Sequence, residues 1–136
     1  MTKAKLFISE VDFARLNGLV ESVKRFFHRD HEHLGALEEE LNRAEVVATE
    51  RLPANVVTMN SRVRLTDLDT GTQKVYTLSF PGDADITRNR LSVLAPIGAA
   101  ILGYCVGAVI QAQVPGGTKR LRIEEVLSPT APARAA

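Results

Sequence analysis

The sequence predicts an α+β chain: a short antiparallel helical hairpin with a coiled-coil seam, followed by an antiparallel β-sheet domain carrying one short helix. Three observations predict it. Apolar residues recur at alternating spacings of three and four over the first fifty positions, and the period shortens toward two after Pro53. The charge changes sign at the same place, with 8 Lys and Arg against 10 Asp and Glu up to residue 52, and 9 against 6 beyond it. The expected units are the hairpin, residues 1–52, and the sheet domain, residues 53–127. A tail over residues 128–136, rich in alanine and holding Pro129 and Pro132, has no core-forming pattern and is expected to be disordered.

The first helix starts at an N-cap, Ser9, with Asp12 three residues on where a capping box usually carries Glu or Gln. Phe13, Leu16, Val20, Val23 and Phe27 then form the seam. After a turn near residues 28–32, Leu34, Leu37, Leu41, Ala44 and Ala48 repeat the spacing, so the second helix returns antiparallel to the first. Arms of roughly 16 to 19 residues at ~1.5 Å per residue give a hairpin of about 25 to 30 Å. Gly18 and Gly35 fall inside the pattern, each costing about 1 kcal/mol relative to Ala, so the hairpin is expected to be steadied by the second unit.

Beyond Pro53, residues 56–59, 62–67 and 74–80 read as short strands, with Asp69-Thr70-Gly71 turning between the last two. Val63 and Leu65 share a face; in the third run either Val75, Thr77 and Ser79 or Tyr76, Leu78 and Phe80 do. Pro81-Gly82-Asp83 closes that hairpin, residues 83–90 are polar enough for an exposed loop, and residues 91–94 resume a strand. Pro96 opens a short helix that Gly103 stops. Residues 109–114 and 121–127 form a last pair across Pro115-Gly116-Gly117-Thr118.

Composition narrows function. The 136 residues suit one ordinary domain or two small units, and 17 Lys and Arg against 16 Asp and Glu give no global pull on a polyanion, so any nucleic-acid contact must be local. Five Phe, two Tyr and no Trp leave few faces for stacked bases. One cysteine, Cys105, excludes an intrachain disulfide framework and suits a reducing compartment; the expected location is cytoplasmic, with neither a signal peptide nor a membrane span. Between Tyr104 and Val106, Cys105 reads as a buried, inert thiol.

All three histidines cluster at the hairpin tip, in His28-Arg29-Asp30-His31-Glu32-His33, without a recognised ligand spacing, so the window reads as a solvated turn. Asp30 and Glu32 on a projecting tip could hold a divalent cation inside a partner's active site, but acids at a helix start also favour its macrodipole. Gly98, Gly103 and Gly107, and Gly116-Gly117-Thr118-Lys119, fit neither a phosphate loop nor a dinucleotide fingerprint and read as turn and cap glycines. No G-x-S-x-G motif accompanies a Ser, His and Asp set. The reading assigns no catalytic residue, no metal and no cofactor.

Four segments carry a resemblance: Val56-Val57-Thr58-Met59-Asn60-Ser61-Arg62-Val63; Leu91-Ser92-Val93-Leu94-Ala95-Pro96-Ile97-Gly98-Ala99-Ala100-Ile101-Leu102-Gly103; Val106-Gly107; and Pro115-Gly116-Gly117. Across about residues 6–127 the chain resembles the Rnk family of regulators of nucleoside diphosphate kinase. That family is related to the transcript cleavage factors GreA and GreB and shares their FKBP-like C-terminal domain behind a helical hairpin. The resemblance implies RNA polymerase as partner, gripped at the rim of its secondary channel in competition with Gre factors. The implied docking residues are Leu94, Ala95, Pro96 and Ile97; Gre factors carry an acid or Ser before the proline, and only Pro96 is retained here. The implied tip is Arg29, Asp30, His31 and Glu32.

Gre hairpins are longer and carry tip acids to the active centre. A carboxylate that falls short of the scissile phosphate cannot position its metal, so the expectation is occupancy without transcript cleavage. Any influence on nucleoside diphosphate kinase is then indirect, through transcription. No sequence-specific nucleic-acid contact and no membrane contact are expected. The alternatives are a Gre-like cleavage cofactor using Asp30 and Glu32, a metal-responsive tip, and a prolyl isomerase suggested by fold analogy alone.

Overall fold

The computed structural model of the chain describes residues 5–26 and 32–127. Residues 1–4, 27–31 and 128–136 lie outside them, and with them the expected seam residue Phe27, the expected tip residues Arg29, Asp30 and His31, and the expected tail. The chain is α+β. Strand β1 (Phe7–Ser9) leads into helix α1 (Glu10–Phe26); helix α2 (Glu32–Arg43) is followed by β2 (Glu45–Val47). Strands β3 (Arg62–Asp67), β4 (Gln73–Ser79) and β5 (Arg90–Ser92), helix α3 (Pro96–Ile101), and strands β6 (Val109–Val114) and β7 (Gly117–Leu127) complete it. The main sheet has the order β5-β4-β3-β7-β6.

Helix α1 starts where its cap predicts, with Asp12 N–H donating to Ser9 Oγ at 3.1 Å. Asp12 does not close the capping box. Its carboxylate accepts from the backbone N–H of Met59, at 3.1 Å, and so pins the helix to the chain before β3. Burial pushes this carboxyl above its usual range, opposed by that same N–H and by Arg15. In both helices the seam is the buried face: Leu16, Val20, Leu34, Leu37 and Leu41 are all 5% exposed or less.

The second helix ends sooner than its periodicity suggests. Ala44 and Ala48 lie beyond it, because the chain leaves at Arg43 and pairs as β2, parallel to β1, with Phe7 opposite Glu45 and Ser9 opposite Val47. Phe7 N–H also donates to Gly103 O and Glu45 N–H to Leu6 O, both at 2.9 Å. The arm shortens to 12 residues, about 18 Å of helix. One buried cluster then unites Leu6, Ile8, Leu16 and Leu37 with Val63, Leu102 and Ile123. The bases of the helices are thus built into the core of the sheet domain, rather than merely steadied by it.

Gly18 and Gly35 sit exposed in their helices, and a Cβ at either would meet nothing within 4 Å. Each Gly→Ala change is expected to stabilise by about 1 kcal/mol through helix propensity. Thermal unfolding checks this; a lower melting temperature would contradict it.

Residues 56–59 do not form a strand. Only Val56 bridges, to Cys105. Val57 N–H donates to Tyr104 O and Gly103 N–H to Val57 O, each at 2.9 Å, but Thr58 N–H turns to Ser61 Oγ at 3.0 Å and Asn60 to φ 68°, so the pairing stops after Val57 while Val56, Val57 and Met59 stay buried. From β3 onward the expected strands appear, with β3 antiparallel to β4 and β7, and β6 antiparallel to β7. The register resolves the open choice in β4: Val63 lies opposite Tyr76, and Tyr76, Leu78 and Phe80 face the core. Strand β5 runs parallel to β4, a departure from the expected all-antiparallel sheet.

Strand β7 starts four residues earlier than its apolar run, at Gly117, across a turn with Pro115 and Gly116 (φ 95°) at its corners. Its apolar residues Ile123 and Val126 are three apart, which simple alternation would put on opposite faces. A β-bulge restores them to one face: Arg64 pairs with Glu125 and Leu65 with Ile123, leaving Glu124 as the extra residue. Glu124 accepts from Thr66 Oγ1 and Arg122 Nε, each at 2.7 Å, on the other face.

Candidate functional site: the α3 corner and its cleft

The segment leading into α3 is a tight corner. Val93 N–H donates to Ser79 O at 2.9 Å, Leu94 N–H to Ser92 Oγ at 3.0 Å, and Ala95 N–H to Ser92 O at 3.0 Å. Pro96 opens α3 with Ala95 as an N-cap that offers no side-chain acceptor. Helix α3 lies so close to this corner that a Cβ on Gly98 would stand 2.1 Å from Ser92 O. Gly98 is therefore a close-approach glycine inside the helix, not a turn or cap. Gly103 (φ 84°) is the stop, and its missing Cβ leaves room for Leu6. The corner holds Leu94, Ala95, Pro96 and Ile97 half-buried on a backbone that has little freedom.

Beside it lies a cleft of about 230 Å³ between α3, the β3–β4 turn and β7. Leu65, Tyr76, Ile97 and Leu121 make its apolar part; Asp67, Thr70, Thr72, Lys74 and Lys119 make its rim. Of the four residues expected to dock, Ile97 lines this cleft, whereas Leu94, Ala95 and Pro96 do not. Asp67 accepts backbone N–H bonds from Asp69 at 2.9 Å and Thr70 at 3.3 Å and lies 3.7 Å from Lys119 Nζ. These N–H groups, chiefly that of Asp69, hold its carboxyl below the usual range. The turn thus fixes the Asp67 carboxylate at the rim.

Of the cleft residues only Ile97 was expected at a site from the sequence. Asp67-Leu68-Asp69-Thr70-Gly71 signals a turn, but Lys119 joins it only through strand pairing. The aromatic residues do not gather here. Tyr76 lines the cleft, Phe80 packs half-buried on the core, and Tyr104 belongs to a separate joint.

In that joint Tyr104 Oη donates to Glu40 Oε1 at 2.8 Å, and Arg43 Nη2 donates both to Glu40 Oε1 at 3.2 Å and to the tyrosine oxygen. The residues run from α2 to the segment after α3, tying the helices to the body. Burial, then the Glu40 hydrogen bond, pushes the Tyr104 hydroxyl up to about 12. A folded value above the unfolded value of about 10 means that this bond stabilises fully below pH 10 and is lost as pH rises from 10 to 12. Tyr104→Phe is expected to cost about 1 to 3 kcal/mol at pH 7, by leaving Glu40 one donor short. The deficit should shrink toward pH 12, as measured by denaturant unfolding across pH.

Of the predicted tip, Arg29, Asp30 and His31 lie outside the described residues and Glu32 is the first residue of α2. No group of three or more His, Cys, Asp or Glu able to hold a metal occurs among the described residues, and no described helix is long and apolar enough to cross a membrane. Cys105 is half-buried, and burial pushes its thiol up.

Comparison with known proteins matches residues 52–128 to the family "Transcription elongation factor, GreA/GreB, C-term", and residues 5–47 to "Rnk N-terminus". The chain is 38% identical over 117 residues to the regulator of nucleoside diphosphate kinase of Escherichia coli K12, covering 86% of this chain and 84% of that protein. It is 32% identical over 93 residues to transcription elongation factor GreA of Beijerinckia indica, covering 68% and 59% of the two. Among solved structures, a prokaryotic transcription elongation factor GreA/GreB from Nitrosomonas europaea superposes with a TM-score of 0.74 at 40% identity, over 91% of this chain and 100% of that one.

Proposed function

The chain belongs to the GreA/GreB family in its Rnk branch, and from that membership we propose that it is an RNA-polymerase-binding transcription regulator. It occupies the secondary channel region, competes there with Gre-like factors and stimulates no transcript cleavage. The C-terminal domain is FKBP-like and grips the channel rim through Leu94, Ala95, Pro96 and Ile97. Helices α1 and α2 form the antiparallel, coiled-coil hairpin that enters or caps the channel. The protein acts in the cytoplasm, catalyses nothing itself, and influences nucleoside diphosphate kinase indirectly.

The observation that carries the absence of cleavage is reach. Helix α1 has 17 residues and α2 has 12, about 25 Å and 18 Å, and the bases of both are committed to the core. Little of that length is left to project. The ion pair between Lys24 Nζ and Glu38 Oε2, at 2.6 Å, supports side-by-side helices. Against a prolyl isomerase stands the cleft itself, which Tyr76 alone supplies with an aromatic wall.

Two purified-component experiments test the reading. Core RNA polymerase should retain the protein, and a Gre factor should displace it. Backtracked elongation complexes should show no added RNA shortening. Shortening that depends on Asp30 and Glu32 would establish a Gre-like cleavage cofactor instead.

A further inference from the structure

The sheet face turned away from the core carries a row of arginines. Val63 and Leu65 point inward, so Arg62 and Arg64 lie on the outer face. Arg62 in β3 pairs with Thr77 in β4, and Thr77 pairs with Arg90 in β5. With strands ~4.8 Å apart, the two arginines start about 10 Å from each other with a threonine between them. A depression of about 330 Å³ lies over this row, lined by Arg62, Val75, Thr77, Arg88, Asn89 and Arg90.

The loop that supplies three of these residues is braced. Asp85 and Arg90 exchange backbone N–H···O bonds, each 2.9 Å, and Asp85 also accepts from Thr87 N–H at 3.1 Å and Thr87 Oγ1 at 2.6 Å. Asn89 closes the loop at φ 58°, and its carbonyl accepts from Thr77 N–H at 2.8 Å. Arg88 and Arg90 are therefore carried at a set position beside β4.

Charge around the depression is one-sided. No carboxylate lines it. Arg64, next along β3, is neutralised by Glu125 at 3.1 Å, and Arg88 meets Asp85 only at 3.9 Å. Among the described residues Arg62 and Arg90 form no ion pair. In a chain whose charges otherwise balance, three arginines line one depression, two of them without an ion pair among the described residues, and an anion there would meet positive charge that nothing in the lining offsets.

The lining also says which anion. Arginine presents a planar fork that binds phosphate oxygens bidentately, and no lysine contributes here. No aromatic ring lines the depression, so a base would find nothing to stack on, which disfavours a free nucleotide and favours a backbone read without regard to sequence. We propose that the outer face at Arg62, Arg88 and Arg90 binds successive phosphates of a nucleic-acid strand. This stands apart from the polymerase reading, because the site lies on the outer face of the sheet and is tested with the protein alone.

The experiment is fluorescence anisotropy of the full chain with a labelled 20-nucleotide single-stranded RNA, repeated with poly-U, poly-A and duplex DNA. Three phosphate contacts predict a logarithmic salt slope near −2 on single strands, or about 20-fold weaker binding at 200 mM than at 50 mM KCl. Poly-U and poly-A should bind within a few-fold of each other. Arg62→Ala with Arg90→Ala should weaken binding at least 10-fold at 50 mM and flatten the slope by about 1.4. Arg62→Lys with Arg90→Lys keeps the charge but loses the fork, so it should hold the salt slope near −2 while weakening binding several-fold, less than the alanine pair does, and unfolding curves should match the parent. The proposal is overturned if neither RNA nor DNA binds saturably at 50 mM KCl, or if the double alanine variant binds like the parent. It is equally overturned if a poly-glutamate 20-mer binds as tightly as RNA through the same arginines, which would mark an acidic protein surface as the partner.

Discussion

Gly98→Ala is expected to destabilise the protein by about 3 kcal/mol or more, although the same change at Gly18 should stabilise it. In an open helix an added methyl gains helix propensity. At Gly98 that methyl would lie 2.1 Å from Ser92 O, 2.9 Å from Ser92 C and 3.2 Å from Val93 Cα. All three are backbone atoms, so no rotamer change makes room. Helix α3 would have to move off the corner, disturbing Ala99 and Ile101, each 0% exposed. Denaturant unfolding of the two variants side by side is the measurement. A neutral or stabilising Gly98→Ala would mean that the α3 corner is looser than its geometry implies.

Pro96→Asp is expected to abolish retention by RNA polymerase while leaving the fold intact. Pro96 is the first residue of α3, where its missing N–H has no partner to lose and an acid favours the helix dipole. The substitution is therefore mild for the chain. It is severe for a partner, because Leu94, Ala95, Pro96 and Ile97 form an apolar, half-buried patch in which a new carboxylate would be desolvated. Loss of a central contact of this kind costs about 2 kcal/mol or more, roughly 30-fold in affinity. Equal binding with unchanged melting would remove this patch from the docking surface.

These two expectations draw on different layers of the molecule. The helix start at Ser9, the α3 start at Pro96 and the β6–β7 turn were legible from local chemistry, since a cap, a ring-locked φ and a Pro-Gly corner act within a few residues. The docking role proposed for the α3 corner came only through the resemblance. The cleft beside it was not legible at all. Asp67 and Lys119 are far apart in the chain and meet because β3 and β7 pair.

The sequence alone determined the α+β class, the buried positions Leu16, Val20, Leu34, Leu37 and Leu41 of the two helices, the span of β6 and the family to which the chain belongs. Each of these rests on periodicity or on residues adjacent in sequence. Tertiary structure decided the β1–β2 pair that ends α2 at Arg43, the face of β4 that is buried, and the bulge that keeps Ile123 and Val126 together. It also converted Asp12 from a capping acid into a tether for Met59, and aligned Arg62 with Arg90 across Thr77. The physical reason is common to all of them. A three-residue strand, a bulge or a buried carboxylate is stabilised by partners distant in the chain, and those partners are chosen when the core closes around both units.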